Sequence, residues 1–242
     1  MNKKLYFQEK AIKHFKKLFH KTNISADKSN EIRIKNNSYV KMSININGKN
    51  NKITICAAEG TGKISINVIG DNNELFIGKI ICHGRTNINS YCSNGKINIY
   101  AAEVTNGLTI YNGCEKWHTE TSRGEITIGE GTIINSCLIF NPYTHARINI
   151  GQKCILTDSV SIYNTDTPKI SDVTGSELFN IINETANIDI GDNVKIEQGA
   201  IIKKNANIGN NTIVEKYKVV PDTPTTKISD NTNSIMQTRS AE

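Results

Sequence analysis

The sequence predicts an all-β fold: a β-solenoid preceded by a short N-terminal amphipathic helix. Two intervals carry that reading. Ile44, Ile55, Ile66, Ile77, Ile88, Ile99 and Ile110 stand eleven residues apart, and Met42, Ile53, Ile64, Leu75, Thr86, Ile97 and Leu108 keep the same interval two positions earlier. Farther on the interval becomes six: Ile128, Ile134, Phe140; then Ile150, Leu156, Ile162; then Ile190, Ile196, Ile202, Ile208, Val214, Val220. Apolar residues at a fixed period mark units that bury their faces only by stacking on one another. Composition agrees, because scarce aromatics with abundant Ile and Asn suit narrow cores of β-branched aliphatics with Asn and Gly at the corners. A β-sandwich of short strands also alternates, but it rarely keeps so regular an interval.

The chain divides in order. Residues 1–30 are a basic helix and a polar linker. Within 3–21, Leu5, Ile12, Phe15 and Phe19, with Ala11 and Leu18, form one apolar stripe opposite the lysines. That face packs on its own body or a partner subunit, lies on an anionic membrane surface, or stays poorly ordered. Seven lysines (Lys3, Lys4, Lys10, Lys13, Lys16, Lys17, Lys21) less Glu9 give the segment the whole net charge of +6. Residues 22–242 are formally neutral, so the body shows no basic footprint for nucleic acid.

Residues 31–118 hold the eleven-residue repeat. Each unit is an I-x-I strand followed by a turn such as Gly70-Asp71-Asn72-Asn73, and two units make a coil of about 22 residues. Residues 119–222 hold the hexads, three of which make a triangular coil of about 18 residues, with a long loop at 163–187. Residues 223–242 form a tail. Two departures from the six-residue interval, after Phe140 and after Ile162, fall on the same face and so leave from the same corner, about 4.8 Å apart. Excursions as long as the second are usually functional or disordered. Trp117-His118, where the two repeats meet, read as a cap for the change of coil shape.

The six cysteines, Cys56, Cys82, Cys92, Cys114, Cys137 and Cys154, are scattered with no C-x-x-C pair. They read as buried reduced thiols rather than disulfides or metal ligands. No apolar run approaches the roughly 20 residues of a membrane span, and the lysine-rich N-terminus lacks the apolar core of a signal peptide. These features predict a cytoplasmic protein, with membrane contact at the inner face through residues 3–21. Phosphate-loop, nucleophile-elbow and H-E-x-x-H zinc motifs do not occur.

The segments Ile148-Asn149-Ile150-Gly151-Gln152-Lys153-Cys154, Val160 to Asp166, Asp172 to Gly175, and Ile188-Asp189-Ile190-Gly191-Asp192-Asn193-Val194 resemble the hexapeptide-repeat, left-handed β-helix acyltransferases. Within that family they look like the sugar and capsular-polysaccharide O-acetyltransferase branch. That branch reads I-x-I-G-x-x-C, then a loop E-I-R-x-[ST]-D-x-H, then I-x-I-G-[DN]-x-V-W-[IL]-G. The resemblance implies a homotrimer with ligand sites between subunits, acetyl-CoA as co-substrate, an acidic or neutral polysaccharide acceptor, and a loop His that deprotonates the sugar hydroxyl.

The chain departs from the pattern at three places. Pro168 stands where the loop His is expected. Lys195 replaces the Trp of the acceptor wall, with Glu197 at the following Gly. Pro221-Asp222-Thr223 replaces the A-G-x-P-A tail that closes over CoA. His145, at the corner one coil away, is the candidate replacement base, and Asp166 matches the family's loop Asp. Asn164 and Lys195 are candidate substrate-binding residues, Lys195 for a sugar carboxylate. The expected function is acetyl transfer from acetyl-CoA to a hydroxyl of a bacterial surface polysaccharide. The alternative is a catalytically inactive homologue that binds carbohydrate or protein, or scaffolds a pathway.

Overall fold

A computed structural model describes residues 22–36, 40–114, 123–165 and 186–220. The expected helix at 3–21, Trp117-His118, most of the loop after Ile162 and the tail lie outside the described residues. Within them the protein is all strand. Nineteen strands pair in parallel into one continuous sheet that winds about an axis.

Each coil has three faces. On the first face, Ile53 and Ile55 pair in register with Leu75 and Ile77, then with Ile97 and Ile99, and then with Ile126 and Ile128. The ladder runs on through Ile148 and Ile150 to Ile188 and Ile190, ending at Ile208. The second face stacks Cys82, Val104, Ile134, Leu156, Ile196 and Val214. The third stacks Ile44, Ile66, Ile88, Ile110, Ile139, Ile162 and Ile202. The chain visits these faces in the same order throughout, so both repeats wind with one hand.

The eleven-residue interval is therefore half a coil, not a face. One unit supplies the third face (Lys63–Ile69), and the next supplies the first and second together as one bent strand (Glu74–Cys82). Every residue of the two eleven-residue series is buried, from Ile44 to Leu108. A fully buried Ile contributes about 1.5–3 kcal/mol relative to exposure. The twelve hexad positions are buried too, except Phe140.

Phe140 is a correction. Ile134 pairs with Val104 and Ile139 with Ile110, so the corner between them is one residue shorter than in the coil below. A one-residue slip exchanges inside for outside. Ile139 takes the core site at 0% exposure and Phe140 turns outward. Two further readings change. Thr22–Ser25, expected in a linker, is a strand paired with Met42 to Asn45. Among the cysteines, Cys82, Cys92, Cys137 and Cys154 are buried and all six are free thiols, but Cys56 is exposed and Cys114 half-buried.

Buried asparagines close the corner between the third and first faces. Asn73 donates through Nδ2 to Asn51 Oδ1 at 3.0 Å, and Asn51 donates likewise to Asn30 at 3.0 Å. Gly95 ends that stack, its N–H capping Asn73 Oδ1 at 2.9 Å. A second stack begins one coil on: Asn141 donates to Asn112 at 3.0 Å, and Asn164 to Asn141 at 2.9 Å. Each carboxamide thus satisfies a polar group that would be costly to bury alone.

Candidate functional site

The long excursions converge on this corner. The chain needs 22 residues to return in register from Lys52 to Glu74, but 29 from Lys96 to Glu125 and 40 from Arg147 to Asn187. Both excesses sit after the third face. The coil carrying His145 has the ordinary spacing, with Glu125 pairing Arg147 22 residues on. The apparent insertion after Phe140 is therefore the normal corner of a 22-residue coil.

His145 is exposed, with φ of 59°. Asn50, Asn72, Asn94 and Arg123 hold the same left-handed corner position in the preceding coils. Asn and His are both among the non-glycine residues enriched in that conformation. The His145 imidazole thus projects from a fixed turn. Beside it, the buried Tyr143 hydroxyl and Thr165 Oγ1 lie 2.7 Å apart and tie this corner to the start of the long loop. Asn164 is buried, and its Nδ2 also donates to the Ala186 carbonyl at 2.9 Å. Its Oδ1 has no hydrogen-bond partner among the described residues. Asp166 lies outside them.

Lys195 is elsewhere. It sits on the second face, in register with Ile155 and Ile213, and its Nζ donates to Glu197 Oε1 at 2.8 Å. That bond and the ammonium charge hold the Glu197 carboxyl below its usual range. The second face lies across the triangle from the His145 corner, so one chain does not bring Lys195 to the other candidates. Ile133, Ile155 and Ile213 expose 41–61% of their surface beside it.

A groove that sequence reasoning missed borders the corner. Tyr91, Tyr111, Gly113, Cys114, Leu138, Phe140 and Tyr163 line about 330 Å³ on the outer side of the third face. Tyr111, Phe140 and Tyr163 are register partners on three successive coils. The rings of Tyr111 and Phe140 meet edge to face at 6.3 Å, and those of Tyr91 and Tyr111 at 6.2 Å. The shortened corner before Ile139 creates this ladder, because it rotates Phe140 out between two tyrosines. An aromatic at each of three coil-spaced outward positions was the available signal.

These features define a three-faced parallel β-solenoid with an aromatic groove beside an elaborated corner. The sequence model of the GLGC left-handed parallel β-helix domain matches residues 115–236, half of the chain. The chain belongs to this left-handed β-helix family, and the shared face order extends the left hand to its N-terminal coils. Curated protein sequences give no match. Among solved structures it is similar to the polysialic acid O-acetyltransferase OatWY, with TM-score 0.44 and 19% identity over 84% of this chain and 79% of that one. It is also similar to the polySia-specific acetyltransferase NeuO, with TM-score 0.30 and 15% identity over 81% and 76%. Among the described residues no helix is long and apolar enough to cross a membrane.

Proposed function

We propose that the protein is an O-acetyltransferase of bacterial surface polysaccharide, transferring acetyl from acetyl-CoA to a sugar hydroxyl held at the corner between the third and first faces. The observation that carries this reading is the aromatic groove of Tyr111, Phe140 and Tyr163 adjoining the corner of His145. An apolar sugar face stacks on such rings, while its hydroxyls point to the polar rim. His145 accepts the hydroxyl proton as the oxygen attacks the thioester carbonyl, and the proton then passes to the leaving CoA thiolate. Asn164 belongs to the same corner and acts on the acceptor, and Asp166, which matches the family's loop Asp in sequence, is assigned a catalytic role beside it. Three copies associate through the aliphatic stripe of Ile133, Ile155 and Ile213, and this brings Lys195 of one subunit towards the corner of the next, where it meets an acceptor carboxylate. The protein works in the cytoplasm, where acetyl-CoA is made.

A second reading has its own support: Pro168 at the expected base position favours a homologue that binds glycan without transferring acetyl. Calorimetric titration with acetyl-CoA, against CoA alone, separates the two. Saturable binding of the donor is expected. No binding at millimolar donor would exclude transfer and leave the binding module. If turnover is found, His145→Ala abolishes it, and unchanged turnover removes His145 as the base.

A further inference from the structure

The first and third faces treat charge differently. On the first face one outward column reads Glu31, Lys52, Glu74, Lys96, Glu125, Arg147, alternating in sign at every register step. Neighbouring coils lie about 4.8 Å apart, so alternation is the favourable choice and like charges in register are unfavourable. The third face breaks that rule. Lys41, Lys63 and Arg85 are exposed register partners in one column, all positive. None has an ion-pair partner among the described residues; Glu59, close in sequence to Lys63, is held by Lys79 at 3.2 Å. An uncompensated cation column of this kind, beside a first face whose charges alternate, is a place where a ligand supplies the counter-charges.

The surroundings specify the ligand. Beside the cations run two neutral outward columns, Ser43–Ser65–Asn87 and Asn45–Asn67–Asn89. Asn45 donates to Asn67 Oδ1 at 3.1 Å, and Asn67 donates to the Tyr91 hydroxyl at 3.3 Å. Tyr91 lines the aromatic groove, and the Asn45–Asn67–Asn89 column continues in register as Tyr111, Phe140 and Tyr163, about 24 Å along the axis over six coils and about 13 Å across the strands from the cations. The coil spacing is close to the advance of one pyranose residue in an extended chain. Hydroxyl and carboxamide columns match sugar hydroxyls. The formal neutrality of residues 22–242 disfavours nucleic acid, which recruits broad positive surfaces.

We propose that the third face of the 22-residue coils is a binding track for an anionic polysaccharide, with sugar carboxylates seated on Lys41, Lys63 and Arg85 and the chain running on to the aromatic groove. The track goes beyond acetyl transfer and stands without it, because its binding is read with no donor present.

The test is calorimetric titration of the full chain with a linear galacturonate oligomer, with its carboxyl-reduced neutral form, and with oligothymidylate. Saturable binding of the galacturonate is expected, weakened by salt, with little binding of the reduced form. Lys63→Glu restores alternation within the column. It weakens galacturonate binding at least about tenfold, since it sets a carboxylate against the ligand's own, while the thermal midpoint stays at or above that of the unaltered protein. Unchanged galacturonate binding by Lys63→Glu overturns the track, as does equal binding of the reduced oligomer. Equal or tighter binding of oligothymidylate, lost in Lys63→Glu, overturns the glycan assignment.

Discussion

The 22-residue coils and the 18-residue coils build the same three faces with different amounts of chain. Between Ile188 and Ala206 a coil presents six aliphatic inward positions: Ile188, Ile190, Val194, Ile196, Ala200 and Ile202. Between Ile53 and Asn73 the core holds the same kind of set, Ile53, Ile55, Ala58, Ile64, Ile66, and then Val68 and Asn73. The extra residues lengthen the third face and widen its corner, and they bring polar groups inside. The 18-residue coil is a nearly pure aliphatic prism. The 22-residue coil is a prism with a hydrogen-bonded seam, and the seam leads to the elaborated corner. A tight triangle has no room for a site, whereas a corner closed by carboxamides can carry a turn, a groove or a long loop.

The comparison breaks most readily at the shared aliphatic ladder. Ile99→Ala and Ile190→Ala remove fully buried side chains from the two kinds of coil. Each is expected to cost about 2–5 kcal/mol by urea denaturation, with similar values if the two coil types pack alike. A cost below about 1 kcal/mol at Ile190 would mean that the shorter coils relax around the cavity in a way the longer ones do not.

Alkaline pH probes the polar seam next. Burial pushes the Cys92 thiol up to about 11, while the Ser90 hydroxyl and the Gly124 N–H oppose the shift. Its ordinary value is 9.0, so the folded state holds the proton more tightly than the unfolded one. The stabilisation is complete below pH 9 and is lost as pH rises towards about 11, about 3 kcal/mol in all. Urea midpoints across that window should fall, and fall less in Cys92→Ala. An equal fall in the variant would assign the loss to other groups, of which the buried Cys137, also raised, is the first to test.

Much of this was legible in the residues. The eleven- and six-residue intervals located the third-face and first-face ladders of the longer coils and the hexad ladder of the shorter ones, because a period maps directly onto stacked faces; the second face of the longer coils, Ala58, Ile80, Cys82, Ala102 and Val104, falls on neither interval. The shared corner was legible too, from the places where the interval fails. Phe140 was not, since a one-residue deletion in a corner leaves an apolar residue at the expected position and only pairing with Tyr111 and Tyr163 shows that it faces out. The asparagines read as turn formers, which they are. Their second role, carboxamides pointing inward and bonding to the next coil, depends on stacking at a separation of some twenty residues and leaves no local mark. For the candidate site, His145 and Asn164 lie at one corner, while Lys195 stands on another face, a separation invisible until the coil is closed.

The seam itself is tested by Asn141→Ala. This removes a buried group that donates to Asn112 and to the Ala146 carbonyl, both at 3.0 Å, and leaves Asn112 Oδ1 and Asn164 Nδ2 short of partners. The expected cost is about 1–3 kcal/mol. Asn210→Ala, which removes an exposed acceptor of the Asp192 N–H in the shorter coils, is expected to cost under about 0.5 kcal/mol. Comparable losses at the two sites would show that the seam adds nothing beyond ordinary turn chemistry.

The smallest effect lies on the surface, where the first face alternates in charge. Glu74→Lys places three cations, at 52, 74 and 96, in register and removes the Glu74–Lys96 contact at 3.9 Å. These groups are largely exposed, so the expected loss is under about 1 kcal/mol and shrinks as salt is raised. The substitution recreates on the first face the like-charged column that the third face carries naturally. If the variant melts lower at low salt and recovers at high salt, that arrangement is shown to be unfavourable for folding, and its presence at Lys41, Lys63 and Arg85 calls for a functional cause. A midpoint unchanged at every salt concentration would mean that solvent screens such columns completely, and the third face could then hold its cations at no cost to folding.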